Sequence, residues 1–466
     1  MAARFVPIDR DTPLLLPPSL HEWLPPDDPA RLVIDLVDSI DLSEAHVNDK
    51  GTGSLQYPPS MMLPLLLYCY SAGFFSSREI EALTHSHIGV RYICANEHPD
   101  HDTICKFRRE NRELIRDAFT QSLHLASAAG ILKIGELNVA TDGTKISGNL
   151  NQMQTRTTGE MDLQIEAIDQ TTVLIQRSID DILDQAENID LKDRQTKEAL
   201  SSELADPEKR REILREAREE LRRKERRRAR LTGAKHSFQE TKIRKHEQRE
   251  EERRETKSRE IGRVPDKRSP DIKSTDKVNI TDPESVKMTT KGAWIQGYNG
   301  QASVDIDSGL VVGAYAIDEA SDKREVIGNV KELENNLGKG GVKTMVADTG
   351  YDNTGQIVQV EEEGGPIVLS LQVRKKMEEG IGTKAQARGR PGRTRERRET
   401  HYERLCEPAN RKLRRRRRET VEPTFGIIKE QMGFRRFSLR GREKADTEWR
   451  LVTFAFNLRK LSKNKQ

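Results

Sequence analysis

The amino-acid sequence predicts a mixed α/β sheet with helices on both faces, an all-α N-terminal domain, and a long helical or coiled-coil insertion that interrupts the sheet. Three observations lead to this fold class. Strand-like alternation begins at residue 136 and resumes at residue 294, a charged helical stretch separates the two regions, and helical segments precede both. A chain of 466 residues has room for two or three such domains.

Shifts in composition divide the chain into five predicted regions. They are a proline-rich arm with a short helix (1–59), a helical domain (60–130), an α/β domain (131–151 and 278–466), a charged helical hairpin (152–277) and, within the α/β domain, a basic linker (376–418). The hairpin is rich in Glu, Arg, Lys and Gln, with Leu, Ile and Ala at helical spacings. On its own it would also suit a structural coiled-coil protein, an alternative that leaves the predicted strands unexplained.

The helical domain has the pattern of a DNA-binding module. Ser76 and Glu79 have capping-box spacing, and Asp102 is predicted to begin a second helix. That helix carries four basic residues: Lys106, Arg108, Arg109 and Arg112. A short helix, a loop and a basic helix favour a helix-turn-helix type of module, and the alternative is a helical bundle with a solvated basic face.

The remaining elements are predicted in chain order from residue 136. Alternating or apolar runs predict strands over 136–146, 294–307, 310–318, 343–348 and 366–371, and a Ser-Gly turn at 308–309 joins two of them in a hairpin. Helices are predicted from Asp322, as the cap, to Leu337, and then over 354–363, 418–431 and 443–461. The short apolar run that ends at Asp348 suits a central strand that is buried on both faces.

Charge and cysteine content restrict the function classes. The formal net charge of +4 conceals a local excess, because residues 384–418 hold 15 basic and only 4 acidic side chains. Within that segment, Arg388 and Arg390 belong to an Arg-Gly-Arg-Pro sequence that is similar to a minor-groove hook, although a flexible basic linker is the favoured interpretation of so short a pattern. Four scattered cysteines fit a reducing cytoplasm, and the apolar run from Met61 to Phe75 is too short to span a bilayer.

Three carboxylates stand at positions that suit a metal site. Asp142 is predicted to end the first strand, Asp348 ends the central strand, and Glu422 lies early in a late helix. The carboxyl ends of neighbouring strands border one crevice, and converging carboxylates suit Mg²⁺ or Mn²⁺. Two such ions about 3.5–4 Å apart would catalyse phosphoryl transfer. Arg418 and Lys429 would share a continuous helix face with Glu422, where they could hold DNA phosphates; the alternative is a surface ladder of ion pairs.

Several longer motifs carry a resemblance to a known family. In the helical domain they are YPPSMMLPLLLYCYSAGFFSSREIE and DTICKFRRE, followed by VATDGTKISGN, NITDPES, QGYNGQASVD, VADTGYDN and VEPTFGIIKEQMGFRRFSLRG. Together they resemble the DDE transposases of bacterial insertion sequences, over nearly the whole chain. The family pattern often has a tyrosine where this chain has Arg415.

The resemblance implies a ribonuclease-H-like catalytic domain in which Asp142, Asp348 and Glu422 form the metal-binding triad, with Arg418 and Lys429 in the family signature. It implies an enzyme that uses Mg²⁺ or Mn²⁺, cuts DNA at the terminal inverted repeats of a mobile element, and joins the freed 3′-hydroxyl to target DNA. A homodimer that pairs two element ends, in a nucleoid-associated protein of the bacterial cytoplasm, is expected. The alternative is a transposase-derived, sequence-specific DNA-binding protein without catalytic activity.

Overall fold

We analysed a computed structural model of the chain. The structure describes residues 19–47, 56–150, 155–157, 161, 209, 212–217, 219–220, 222–223, 277–290, 293–370 and 403–464. The chain divides into two compact units, residues 1–147 with 286–466 and residues 148–285. Most of the predicted charged hairpin, and residues 376–402 of the predicted linker, lie outside the described residues, so the coiled-coil insertion stays a prediction.

The N-terminal part of the first unit is helical, as predicted. Its helices are α1 (Leu20–Trp23), α2 (Pro29–Asp38), α3 (Pro59–Ala72), α4 (Ser77–Ser86), α5 (Ile88–Ile93), α6 (His101–Glu110) and α7 (Arg112–Ala128). The strongly apolar α3 is buried from Met61 to Ser71 and packs against α2 and the last helix of the chain. Its apolar surface therefore serves the protein core, and no helix in the described part of the chain is long and apolar enough to cross a membrane.

The mixed α/β class is confirmed by a six-stranded sheet in the first unit. Its strands are β1 (Leu137–Ser147), β4 (Val286–Thr290), β5 (Ala293–Asp305), β6 (Val311–Ile317), β7 (Val342–Ala347) and β8 (Ile367–Ser370). The order is β4-β5-β1-β7-β8, and β6 also pairs with β5. β1 runs parallel to β7, which runs parallel to β8, whereas β1 and β5 are antiparallel.

Four helices follow along the chain: α8 (Val326–Leu337), α9 (Thr354–Glu362), α10 (Pro408–Gly426) and α11 (Arg442–Asn464). α10 packs against β1, β5 and β7, and α11 packs against β6 and α3. The Trp449 indole of α11 lies against Gly300, where a Cβ atom would be 2.8 Å from the ring, and its Nε1 donates to the Gln301 carbonyl at 2.8 Å. This contact requires glycine at position 300 and fixes α11 on the sheet.

The second unit contains a small sheet and its own apolar cluster. β2 (Thr155–Thr157) pairs with β3 (Lys277–Asn279) in antiparallel fashion. The buried members of the cluster come from the two strands' neighbourhood and from a helical segment: Met161, Leu214, Ala217, Val278 and Ile280. Apolar burial therefore stabilises this unit where it is described.

Helix boundaries differ from the predicted ones because other side chains cap them. Asp100, not Asp102, caps α6: its Oδ1 accepts from the Thr103 amide at 2.6 Å. Ser76 precedes α4 without a side-chain capping bond. The predicted basic helix also stops at Glu110, because Asn111 separates α6 from α7.

The late basic helix is longer than predicted at one end and irregular at the other. α10 begins at Pro408, inside the predicted linker, because proline suits the first turn of a helix. After Gly426 the chain forms a π-helical turn over Ile427–Gln431. The helix is therefore not continuous as far as Lys429, and the predicted shared face of Arg418, Glu422 and Lys429 is wrong at its C-terminal end.

Candidate active site

Asp142 and Asp348 lie side by side at the edge where two parallel strands stop pairing. The last paired residues of β1 and β7 are Thr141 and Ala347, and each aspartate is the next residue of its chain segment. Asp142 is not at the end of β1, as predicted, because β1 continues against β5 as far as Ser147. The end of the β1–β7 ladder nevertheless places both carboxylates at one crevice, as the strand register requires.

A buried arginine joins the two aspartates. Arg417 of α10 donates through Nη1 to Asp142 Oδ2 at 3.0 Å, and its Nη2 lies 3.8 Å from Asp348 Oδ1. The Arg417 side chain is 3% exposed, whereas those of Asp142 and Asp348 are 21% and 44% exposed. The guanidinium thus lies below the carboxylates and leaves them accessible from the crevice.

Backbone amides hold each carboxylate on its strand end. The Gly143 amide donates to Asp142 Oδ1 at 2.9 Å, and the Thr349 amide donates to Asp348 Oδ1 at 2.6 Å. The pKa of Asp142 is raised chiefly by burial, and also by the Asp348 charge; Arg417 and the Gly143 amide offset only part of this effect. One guanidinium is therefore insufficient to stabilise the ionised pair fully, and a further cation would favour ionisation.

Glu422 lies on the same helix as Arg417 but on its exposed side. The buried face of α10 consists of Arg414, Arg417, Val421 and Thr424, and Glu422 is exposed. Within the described ranges, no three His, Cys, Asp or Glu side chains are close enough together to hold a metal ion. The structure thus brings Asp142 and Asp348 together and places Glu422 on a neighbouring helix surface, outside that pair.

The two signature cations take different positions. Arg418 is exposed on α10. Lys429 lies in the π-helical turn, and its Nζ donates to the Lys145 carbonyl of β1 at 2.9 Å. Because β1 also carries Asp142, this bond ties the end of the helical segment to the strand of the first aspartate. A π-helical turn of this kind is rare and is frequently found at functional sites.

The basic residues predicted to bind DNA in the helical domain separate into two groups. Lys106 and Arg109 are exposed on α6. Arg108 is buried, donates to the Tyr70 hydroxyl at 2.6 Å, and lies 3.8 Å from the Glu448 carboxylate. The prediction that Arg108 binds DNA is therefore wrong, because its guanidinium is enclosed and already paired.

Two other predicted DNA contacts are modified by their surroundings or lie outside the structure's described part. Arg112 starts α7 instead of continuing α6, and it pairs with Glu443 at 2.9 Å while remaining 39% exposed. Arg388 and Arg390 lie outside the described residues. The predicted minor-groove hook stays a prediction.

Sequence reasoning missed Arg417 and the true contacts of Asp322. Arg417 lies within a run of five arginines, Arg414 to Arg418, where composition alone does not distinguish one from another. Helical spacing does distinguish them, because Arg417 is midway between Leu413 and Val421 at intervals of four residues. Asp322 was predicted to cap a helix, but Ser321 caps the 3₁₀ turn Asp322–Arg324 and leaves the Asp322 carboxylate free to turn toward the sheet.

Two family models match the chain. One is described as a transposase domain (DUF772) and matches residues 18–110; the other is described as a transposase DDE domain and matches residues 273–458. The chain belongs to the DDE transposases of the insertion-sequence type. No curated protein and no solved structure matches it.

The DDE match implies a ribonuclease-H-like fold for the mixed sheet. Its matched range includes Asp348 and Glu422, whereas Asp142 lies outside both matched ranges. The place of Asp142 in this transposase therefore rests on the β1–β7 register and on its contact with Arg417.

Transposases of this family imply a divalent cation, and the residues of the crevice fit one in their chemistry. The donors are carboxylate oxygens, which Mg²⁺ and Mn²⁺ prefer. Gly143 adds to the fit, since a Cβ atom there would lie 2.3 Å from Asp322 Oδ1 and would fill the space beside Asp142. Asp142 and Asp348 are the residues that could hold the ion.

Proposed function

We propose that this transposase cuts DNA strands at the ends of an insertion sequence and transfers the freed 3′ ends to target DNA. The observation that carries the proposal is the pair formed by Asp142 and Asp348 at the end of the β1–β7 ladder, with Arg417 beneath both. Glu422, on the helix that contacts these strands, is proposed as the third catalytic carboxylate.

The roles of the residues follow from their positions and charges. A divalent cation such as Mg²⁺, when bound, would supply Lewis-acid stabilisation of the charge that develops on the reacting phosphate. Asp142 and Asp348 would hold it, and Arg417 would keep both carboxylates ionised and oriented. Arg418, which is exposed on α10, would bind a DNA phosphate, and Lys429 would fix the end of the helical segment against β1.

DNA is the proposed partner of three basic regions. They are the exposed face of α6 with Lys106 and Arg109, the start of α7 with Arg112, and the segment 384–418 with Arg388 and Arg390. Such binding would weaken steeply with salt, because each phosphate contact releases counterions. The division into an arm, a helical DNA-binding domain, a catalytic domain and a charged insertion remains our proposal for the domain roles, and pairing of two element ends by a homodimer in the bacterial cytoplasm belongs to the same proposal.

The decisive experiment is cleavage of DNA that carries the sequences flanking the gene, in the presence and absence of Mg²⁺. We expect Mg²⁺-dependent cuts with the parent protein and none with Asp348→Ala. Asp307→Ala is the matched control, since Asp307 is an exposed aspartate of the same domain that pairs with Arg416 at the surface. Full activity of Asp348→Ala would refute the site, and an inactive parent that still binds the DNA would favour the binding protein without catalysis.

A further inference from the structure

Asp322 lies directly beside the candidate active site, although it belongs to neither the strands nor the helix that carry the three carboxylates. Its Oδ1 accepts hydrogen bonds from Asn299 Nδ2 and from Gln301 Nε2, both at 2.7 Å. Both donors are on β5, the strand that pairs with β1 next to Asp142. The 3₁₀ turn is therefore fastened to the central sheet through this one carboxylate.

The space around Gly143 shows how close Asp322 comes to Asp142. A Cβ atom at Gly143 would lie 2.3 Å from Asp322 Oδ1, 2.5 Å from Gln301 Nε2 and 2.7 Å from Asn299 Oδ1. Only glycine allows these three polar groups to contact the backbone immediately after Asp142. The position thus has a steric requirement that the Asp322 carboxylate itself creates.

The same carboxylate also borders the segment of Asp348. A Cβ atom at Gly350 would be 3.6 Å from Asp322 Oδ2. Tyr351, three residues after Asp348, is buried and donates from its hydroxyl to Gln301 Oε1. Gln301 therefore connects Asp322 to the Asp348 segment, so a single buried amide joins both sides of the crevice.

Two features of this group point to a cation. The Asn299 side chain is 1% exposed, yet its Oδ1, which faces Gly143, has no hydrogen-bond partner among the described residues. In addition, both donors to Asp322 are neutral amides, so their hydrogen bonds orient the carboxylate without cancelling its charge. Asp142, Asp348 and Asp322 together carry more negative charge than Arg417 neutralises.

We propose that Asp322 is a positioning residue of the active site that strengthens the binding of a divalent cation at Asp142 and Asp348. It holds the backbone at Gly143 in place and adds uncompensated negative charge beside the two aspartates. It is not itself a ligand in this arrangement, because the described residues contain no three acidic groups within ligating distance. The inference rests on the proposed function, since it takes the aspartate pair as the cation site.

The test is the affinity of the full chain for Mn²⁺ without DNA, measured from the electron paramagnetic resonance signal of free Mn²⁺. Asp322→Asn keeps an acceptor oxygen toward both amides and removes the charge, and we expect Mn²⁺ affinity to fall by about tenfold, as outer-shell substitutions commonly do. Asp307→Asn, at the exposed end of β5, is the control and should bind Mn²⁺ like the parent. Asp322→Ser replaces the first variant if thermal unfolding shows that Asp322→Asn is not folded.

A third variant separates failure of this inference from failure of the proposed function. Asp348→Asn should weaken Mn²⁺ binding if the aspartate pair is the cation site. Parent-like Mn²⁺ affinity in both Asp348→Asn and Asp322→Asn would overturn the proposed site and this inference together. Weakened binding in Asp348→Asn with parent-like binding in Asp322→Asn would overturn the role of Asp322 alone.

Discussion

Replacing Arg417 with methionine is the most informative single change, because this side chain is the one cation seen in contact with both aspartates within the described residues. Methionine keeps most of the buried volume and removes the charge. Arg417 is 3% exposed and donates to Asp142 at 3.0 Å, so the ion pair is screened little by solvent. Breaking a buried pair from one side typically costs about 3–5 kcal/mol, because the remaining charge stays buried without a partner.

The loss should depend on pH in a defined direction. Burial already raises the pKa of Asp142, and Arg417 counteracts that rise. Without Arg417 the folded-state pKa of Asp142 rises further. A raised acid pKa contributes stability that is fully present below the unfolded-state pKa and is lost as pH increases through the folded-state value. The difference in stability between parent and variant should therefore be small near pH 4 and should grow toward pH 8.

Thermal unfolding at several pH values measures this effect. A loss of about 3 kcal/mol lowers the midpoint by roughly 6–12 °C in a domain of this size at pH 8. Arg418→Met, at the exposed neighbouring position, is the control and should change the midpoint by less than about 2 °C. Equal shifts for the two variants, or a shift for Arg417→Met that does not change between pH 4 and pH 8, would refute the assignment of Arg417 as the partner of Asp142.

Three further predictions test other parts of the molecule. Gly143→Ala should destabilise the protein by about 1–3 kcal/mol in thermal or urea denaturation, because its Cβ atom would lie 2.3 Å from a carboxylate oxygen; unchanged stability would contradict the described packing. Replacing Lys106 and Arg109 together with glutamine should reduce the slope of log affinity for DNA against log salt by about 0.9 for each phosphate that the variant no longer neutralises, and an unchanged slope would show that α6 does not bind DNA. Burial raises the pKa of the Cys94 thiol to about 12, so iodoacetamide at pH 8 should label the partly exposed Cys406 at least about tenfold faster, as mass spectrometry of the peptides would show; equal labelling would mean that Cys94 is not enclosed.

The sequence allowed the strands and the two aspartates to be predicted because their signals are local. The apolar run that ends at Asp348 and the alternation around Asp142 both reflect burial of successive side chains on a sheet. Their proximity could be anticipated because parallel strands place their carboxyl ends at one edge. The predicted end of β1 was wrong since β1 has two neighbours, and its pairing with β5 continues after its pairing with β7 has stopped.

The charged side chains were harder to assign, because sequence shows their charge and not their depth. Arg108 and Arg109 are adjacent in one basic helix, yet the first is buried against Tyr70 and Glu448 and the second is exposed. Arg417 and Arg418 show the same contrast one residue apart. Helix periodicity decides which of two neighbours faces the core, so the apolar positions around a basic run are more informative than the run itself.

The position of Arg417 explains how this site can be built before any substrate arrives. Two carboxylates at adjacent strand ends repel each other, and burial of Asp142 adds a cost that the Arg417 guanidinium offsets only in part. The remaining imbalance favours binding of a cation at the crevice side, where Asp348 is 44% exposed, while Arg417 stays beneath the pair. Because Arg417, Arg418 and Glu422 lie on one helix, any contact of α10 with DNA acts on the element that also holds the aspartates. The same helix thus links recognition of the phosphate backbone to the geometry of the proposed catalytic carboxylates.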